Sequence, residues 1–235
     1  MIYLGITLHA RMASFRDPET QTYHRTLPLP PPATCIGLAG AALGMSGSAV
    51  QDFFAPGEWQ LGVAGNSNGF VKDLWKYDDF KDGSIILREY LYDNHFYLLF
   101  GHTDRAKLDR LASAFRQPHF ALTCGNSDSL CRVSDLQLLD KAPSKPERLL
   151  HCYAPGKDWA RFALQQLQPG EPIRMETTAM PISQELVVRY NFLKDGVRIV
   201  SERRNLSYVH QLPVPANTEI HGRHYQGRFV PLFDL

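Results

Sequence analysis

The patterned segments of the first 140 residues follow the broad order strand, helix, strand, strand, helix, strand. Few architectures accept that order, and the split βαβ arrangement of ferredoxin-like modules is the simplest. Residues 2–8 open it: Ile2, Leu4, Ile6 and Leu8 fall on one face of a strand, with Tyr3, Gly5, Thr7 and His9 on the other. Residues 10–26 are polar and mixed and read as an ordered loop. Consecutive prolines then hold residues 27–32 extended, and residues 33–43 read as a helix whose Gly37, Gly40, Ala41 and Gly44 suit close packing on a sheet. A short strand is expected over 58–64. Residues 65–83 carry Asn, Gly, Asp, Lys and aromatics with no period, the signature of an inserted loop or hairpin. Residues 85–91 and 94–100 read as two strands turning at Asp93-Asn94. A helix over 104–116 is the clearest element, with Thr103 able to cap it, Asp104 favouring its N-terminus, and Leu108, Leu111, Ala112 and Phe115 in one stripe. Residues 120–124 and 131–139 are strand-like.

The last third changes texture. Pro143, Pro146 and Pro155 mark a linker or boundary near 141–156, and residues 158–167 read as a short helix. Residues 186–193 and 197–201 flank Lys194-Asp195-Gly196, a hairpin signal that places Arg189 and Asn191 on the face of Val187. The proline-containing C-terminus reads as irregular chain packed on the body. The expected organisation is therefore α+β: a domain over 1–140 with an insertion at about 65–83, and a smaller antiparallel β-rich region over 141–235.

Composition narrows the function. The 235 residues carry 25 Lys+Arg against 24 Asp+Glu, a formal charge of +1, which argues against a general nucleic-acid binder. The sum hides a distribution. Between Asp52 and Asp93 there are eight acidic and four basic residues, a balance of −4, which leaves +5 elsewhere. No segment reads as a signal peptide or membrane span, so a cytoplasmic protein is expected. Cys35, Cys124, Cys131 and Cys152 lack CxxC spacing and read as reduced structural thiols. No cofactor motif is present, and His221 and His224 stand three apart without a carboxylate or cysteine pair, so no metal site is expected.

Basic and aromatic residues gather in the irregular segments. One group is Arg11, Phe15, Arg16, Tyr23, His24 and Arg25; another is Phe70, Lys72, Trp75, Lys76 and Tyr77. Cations for phosphates and π faces for unstacked bases are what single-stranded nucleic acid requires. Phe15 and Trp75 equally suit anchoring their loops to a core. Residues 125–129 (Gly-Asn-Ser-Asp-Ser) read as a loop entering a short helix, where exposed N–H groups either cap or hold a phosphate.

Three segments together resemble the fifth CRISPR-associated protein family, the Cas-five family. They are Ala13-Ser-Phe-Arg followed by the proline-rich entry from Thr26 to Leu38, then Arg88-Glu-Tyr-Leu, then the run from Gly125 to Val133. The resemblance covers roughly the first 140 residues. It implies a RAMP-superfamily protein with an RRM-like core and a thumb-like insertion, I-B-like in style. It further implies a non-catalytic subunit of a type I Cascade complex that caps the 5′ handle of the guide RNA (crRNA). Such a subunit bridges the backbone and large subunits and meets target DNA near the PAM only indirectly. On this reading Arg11 and Arg16 pair handle phosphates and Phe15 stacks a base. Asn126, Ser127 and Asp128 present their turn, with Arg132 beside it, and Lys72, Trp75 and Lys76 form the thumb. One branch of the family cleaves precursor guide RNA without metal, using His, Tyr and Lys. Tyr23 and His24 are present here, but no lysine precedes Lys72. Catalysis is therefore not expected, and metal-independent endoribonuclease activity is the alternative.

Overall fold

The computed structural model describes all residues except 21–22, 79–82, 141–144, 161–178, 195 and 215–217. β1 (Ile2–Ala13) is longer than its alternating pattern suggested and is buried on both faces. Leu4, Ile6 and Leu8 enter the main core beneath the helices, and Tyr3 enters a second core on the other side. β2 (Tyr23–His24) is a two-residue strand within the segment expected to be loop. α1 (Pro32–Leu43) begins on a proline, whose missing N–H is no loss in a first turn. It ends on Gly44 at φ 68°, a left-handed residue that closes the helix. α2 (Gly47–Phe53) follows at once, capped by Ser46. Gly40 of α1 serves a helix contact rather than a sheet contact. A Cβ on Gly40 would meet Val50 of α2 at 3.2 Å, while Gly37 is open.

β3 (Gln60–Asp78) and β4 (Gly83–His102) form one long hairpin. The segment over 65–83 is thus the hairpin's outer half, paired out to Asp78 and Gly83. Its described side chains over 68–76 are exposed on both faces, so no burial-driven alternation marks it as strand. Asp93-Asn94 is not a turn. β4 runs through it, and both neighbouring ladders skip only Asp93, which sits at φ 49°. The buried Asn94 amide donates to Ala10 O at 3.0 Å and Leu91 O at 3.2 Å, using turn chemistry to stabilise a kink within a strand.

α3 (Arg105–Arg116) buries the expected stripe of Leu108, Leu111, Ala112 and Phe115. Its cap is Asp104, whose Oδ1 accepts from Ala106 N at 2.8 Å, rather than Thr103. Residues 120–124 contribute only an isolated bridge, Thr123 to Leu130. β5 (Cys131–Leu139) follows the 125–129 turn directly, so the short helix expected there is absent.

The C-terminal third is strand-rich, and two expectations for it fail. Residues 148–155 are not linker but β6 (Arg148–Pro155), which buries Leu149, Cys152, Tyr153 and Ala154; its proline stands at the strand's end, where a missing N–H is tolerated. β7 (Ile182–Phe192) and β8 (Arg198–Pro213) form the hairpin read from the sequence. The C-terminus is not irregular. β9 (Gly222–Tyr225) and β10 (Arg228–Pro231) pair, and β11 (Phe233–Asp234) joins β3. The helix expected over 158–167 falls largely outside the described residues.

The main sheet runs β5-β1-β4-β3-β6-β8-β7, every neighbouring pair antiparallel. β6 meets β3 through one pair, Ala64 with Cys152. Tyr225 of the small hairpin lies against Gly5, where a Cβ would come within 2.7 Å of its ring. Cys35, Cys124 and Cys152 are buried free thiols and Cys131 is half-buried. No single described helix is long and apolar enough to cross a membrane.

Candidate nucleic-acid interface

Three segments far apart in sequence meet at one end of the sheet. They are the loop after β1, the base of the β3–β4 hairpin, and the 125–129 turn. Arg88 of β4 joins the last two. Its guanidinium lies 4.7 Å from the Trp75 ring and 4.5 Å from the Tyr90 ring, so two π faces hold it. Arg88 Nη2 donates to Asp128 Oδ2 at 3.4 Å, and Tyr90 OH donates to the same oxygen at 3.0 Å. Asp73 stands 3.9 Å away. Arg88 Nε is buried and unpartnered.

The first loop is tied to the same strand. Ser14 Oγ donates to Glu89 O at 2.7 Å, and Tyr23 OH donates to Glu89 Oε1. Lys72 Nζ stands 5.5 Å above the Tyr23 ring. Desolvation and Glu89 push the Tyr23 phenol up to about 12. His24, next in the chain, is held below its usual value by burial and by the charges of Arg16 and Arg88. Gly125 presses on the loop from the other side. Its φ is 102°, and a Cβ there would lie 1.8 Å from Ser14 O.

Behind this junction lies a groove of about 440 Å³. Arg16, Thr34, Gly37 and Asn126 line it on one side, and Glu185, Tyr190 and Arg198 on the other. Arg198 stacks on Tyr190 at 5.1 Å. Asn126 Nδ2 is buried without a partner.

The residues singled out from sequence divide into distinct environments. Arg16 and Asn126 line the groove. Ser127 is exposed beside them, and Asp128 is spent as the acceptor for Arg88 and Tyr90. Lys72, Trp75 and Lys76 lie on the hairpin and are exposed. Arg132 pairs across from His9, and strand alternation puts Arg11 on that same face, away from the groove. Phe15 is the clear correction. It is 2% exposed and packs edge-on against Phe96 at 5.4 Å, so it anchors its loop and offers no face to a base. Arg88, Tyr90 and Arg198 were not singled out as site residues. Arg88 and Tyr90 stand two apart on a strand, a cation beside an aromatic on one face, which is the signal that marks them.

The sequence profile of the CRISPR-associated protein (Cas_Cas5) family matches residues 3–191. The chain belongs to that family. No curated protein matches it. A "CRISPR RNA-guided surveillance complex" chain has a similar fold, with TM-score 0.50 at 19% identity over 90% of this chain and 91% of that one. A "Cas protein" crystal structure gives 0.45 at 21% identity, covering 91% and 95%. A CRISPR protein from Archaeoglobus fulgidus gives 0.49 at 11% identity over 100% of both chains.

Proposed function

We propose that this Cas5-family protein is a non-catalytic RNA-binding subunit of a type I CRISPR effector complex in the cytoplasm. In this role it holds the 5′ handle of the guide RNA and bridges the backbone and large subunits. The observation that carries the reading is the convergence of the first loop, the hairpin base and the 125–129 turn around Arg88. That junction holds Lys72 above Tyr23 and sets Arg16 in the lining of a groove that also holds the unpartnered Asn126 amide, a local site in a chain of near-zero net charge. The strand order β5-β1-β4-β3, with helices in both crossovers, supports a ferredoxin-like core for it.

One observation favours the endoribonuclease reading: Lys72 stands over Tyr23, next to His24, so the hairpin supplies the lysine the loop lacks. Two others weigh against it. Tyr23 and His24 are successive residues of a strand and so point to opposite sides. The Tyr23 proton is also engaged by Glu89. Incubation of the purified protein with repeat RNA in EDTA distinguishes the two. Handle binding without cleavage is expected; site-specific cleavage that is lost in Lys72→Ala and His24→Ala would establish the nuclease instead.

A further inference from the structure

We propose that His9, Asp93 and His95 form a binding site for a transition-metal dication, zinc above all, on the sheet face remote from the groove. His9 of β1 and His95 of β4 are register partners. Asp93 precedes His95 by two residues, and the three side chains meet on one face. One ligand atom from each lies within 4.8 Å of the other two. His9 Nε2 is 3.1 Å from Asp93 Oδ1, and the two imidazole rings are 4.8 Å apart between centroids. Two imidazoles and a carboxylate form an N2O donor set that suits zinc and its neighbours and not magnesium or calcium, which favour oxygen.

The surroundings hold this set in place. Asn68 Nδ2 donates to Asp93 Oδ2 at 2.6 Å, which fixes the carboxylate and leaves Oδ1 turned toward His9. Outer-shell donors of this kind orient metal ligands. Asp93 is held at φ 49°, a left-handed conformation costly for a residue with a Cβ. The next residue enforces it: the buried Asn94 side chain bonds Ala10 O and Leu91 O and accepts from Ser67 Oγ at 2.6 Å. The kink in β4 therefore does no turning of the chain; it delivers a carboxylate to two histidines. The His9 and Asp93 side chains are 22% and 36% exposed, so solvent completes the coordination sphere. Arg132, across from His9, is exposed, and water screens its charge from the ion.

Zinc titration of the metal-stripped full chain by isothermal calorimetry tests the proposal. One zinc per chain with micromolar or tighter affinity is expected. His9→Ala and His95→Ala should each weaken it at least ten-fold. Asp93→Asn should do the same while keeping the backbone kink, since Asn tolerates the left-handed region. His221→Ala/His224→Ala should leave it unchanged. Cobalt loading of the unaltered chain reads the donors directly, and a spectrum without thiolate charge-transfer bands is expected. Absence of stoichiometric binding, retention of binding in both histidine variants, loss in the His221/His224 variant, or a thiolate band would each overturn the site.

Discussion

Arg88 Nη2 stands 3.4 Å from Asp128 Oδ2, and this contact ties the long hairpin to the turn that starts β5. The arginine side chain is 9% exposed and the aspartate 57%, so the two ends of the pair are not energetically alike.

Arg88→Ala removes contacts to Trp75 and Tyr90 together with the pair. At roughly 0.5–1 kcal/mol for each cation–π contact, a loss of about 1–3 kcal/mol is expected. Asp128→Asn removes the charge of an exposed side chain and one acceptor oxygen while leaving the other for Arg88 and Tyr90, and should cost under about 1 kcal/mol. Urea midpoints at unchanged m-value measure both. Equal losses in the two variants would mean that the ion pair, not the aromatic stack, holds Arg88.

Gly125→Ala should be far more damaging than its size suggests. The new Cβ would lie 1.8 Å from Ser14 O, a backbone atom that cannot rotate away, at a φ of 102°. Gly57 is the control: its φ is 74° but nothing lies within 4 Å of the added carbon. About 1 kcal/mol is expected at Gly57 and well over 2 kcal/mol at Gly125. Thermal unfolding of the two alanine variants gives the comparison.

Much of the first 140 residues was legible because burial follows period there: the stripe of α3 and the inner half of β3–β4 pack as their patterns require. The outer hairpin was read only as an inserted loop or hairpin, because exposure on both faces erases the alternation that would mark its strands. Asp93-Asn94 misled for a different reason. Left-handed aspartate and self-bonding asparagine serve a kink as readily as a turn, and only the strand partners decide. His9 and His95 stand 86 residues apart, and no spacing rule relates ligands that only strand pairing brings together. Arg16 lines the groove, but its neighbour Phe15 could not be assigned until Phe96 was seen beside it.

That last contrast gives a paired test. Arg16→Ala should weaken binding of handle RNA by about 1–3 kcal/mol and lower the salt slope by about one, with stability unchanged. Phe15→Ala empties a core position and should cost about 3–5 kcal/mol of stability. Filter binding across a salt series, beside chemical denaturation, separates the two. An Arg16 variant with wild-type affinity would remove that residue from the interface.

Two groups of ionisable residues set opposite pH limits. The His24 and His151 pKa values lie below the ordinary 6.5, each chiefly through burial. The unfolded chain binds more protons at these sites, so their contribution is complete above pH 6.5 and is lost as pH falls through the folded values. Tyr208 is pushed up to about 12 by burial, so its contribution holds below pH 10 and is lost as pH rises toward 12. Melting temperature should therefore fall on both sides of a plateau. His151→Asn, which suits the φ of 42° at that position, should flatten the acid limb. An unchanged acid limb would show that burial of His151 does not govern it.

The outer hairpin carries apolar side chains that the fold does not bury. Leu74 is 70% exposed and Ile85 71%, and the register places Leu74 opposite Leu87 and Ile85 opposite Lys76, so both leucine and isoleucine lie on the face of Lys72. Exposed apolar groups on a paired strand contribute little to stability, so Leu74→Ser/Ile85→Ser should shift it by under about 0.5 kcal/mol per site. Loss of this apolar area should nonetheless weaken docking of a neighbouring subunit, since contiguous exposed apolar surface marks an interface. Co-purification of the effector complex, with circular dichroism of the isolated chain as the folding control, reads both effects. Full assembly by the double variant would assign the hairpin's contribution to its charged residues instead.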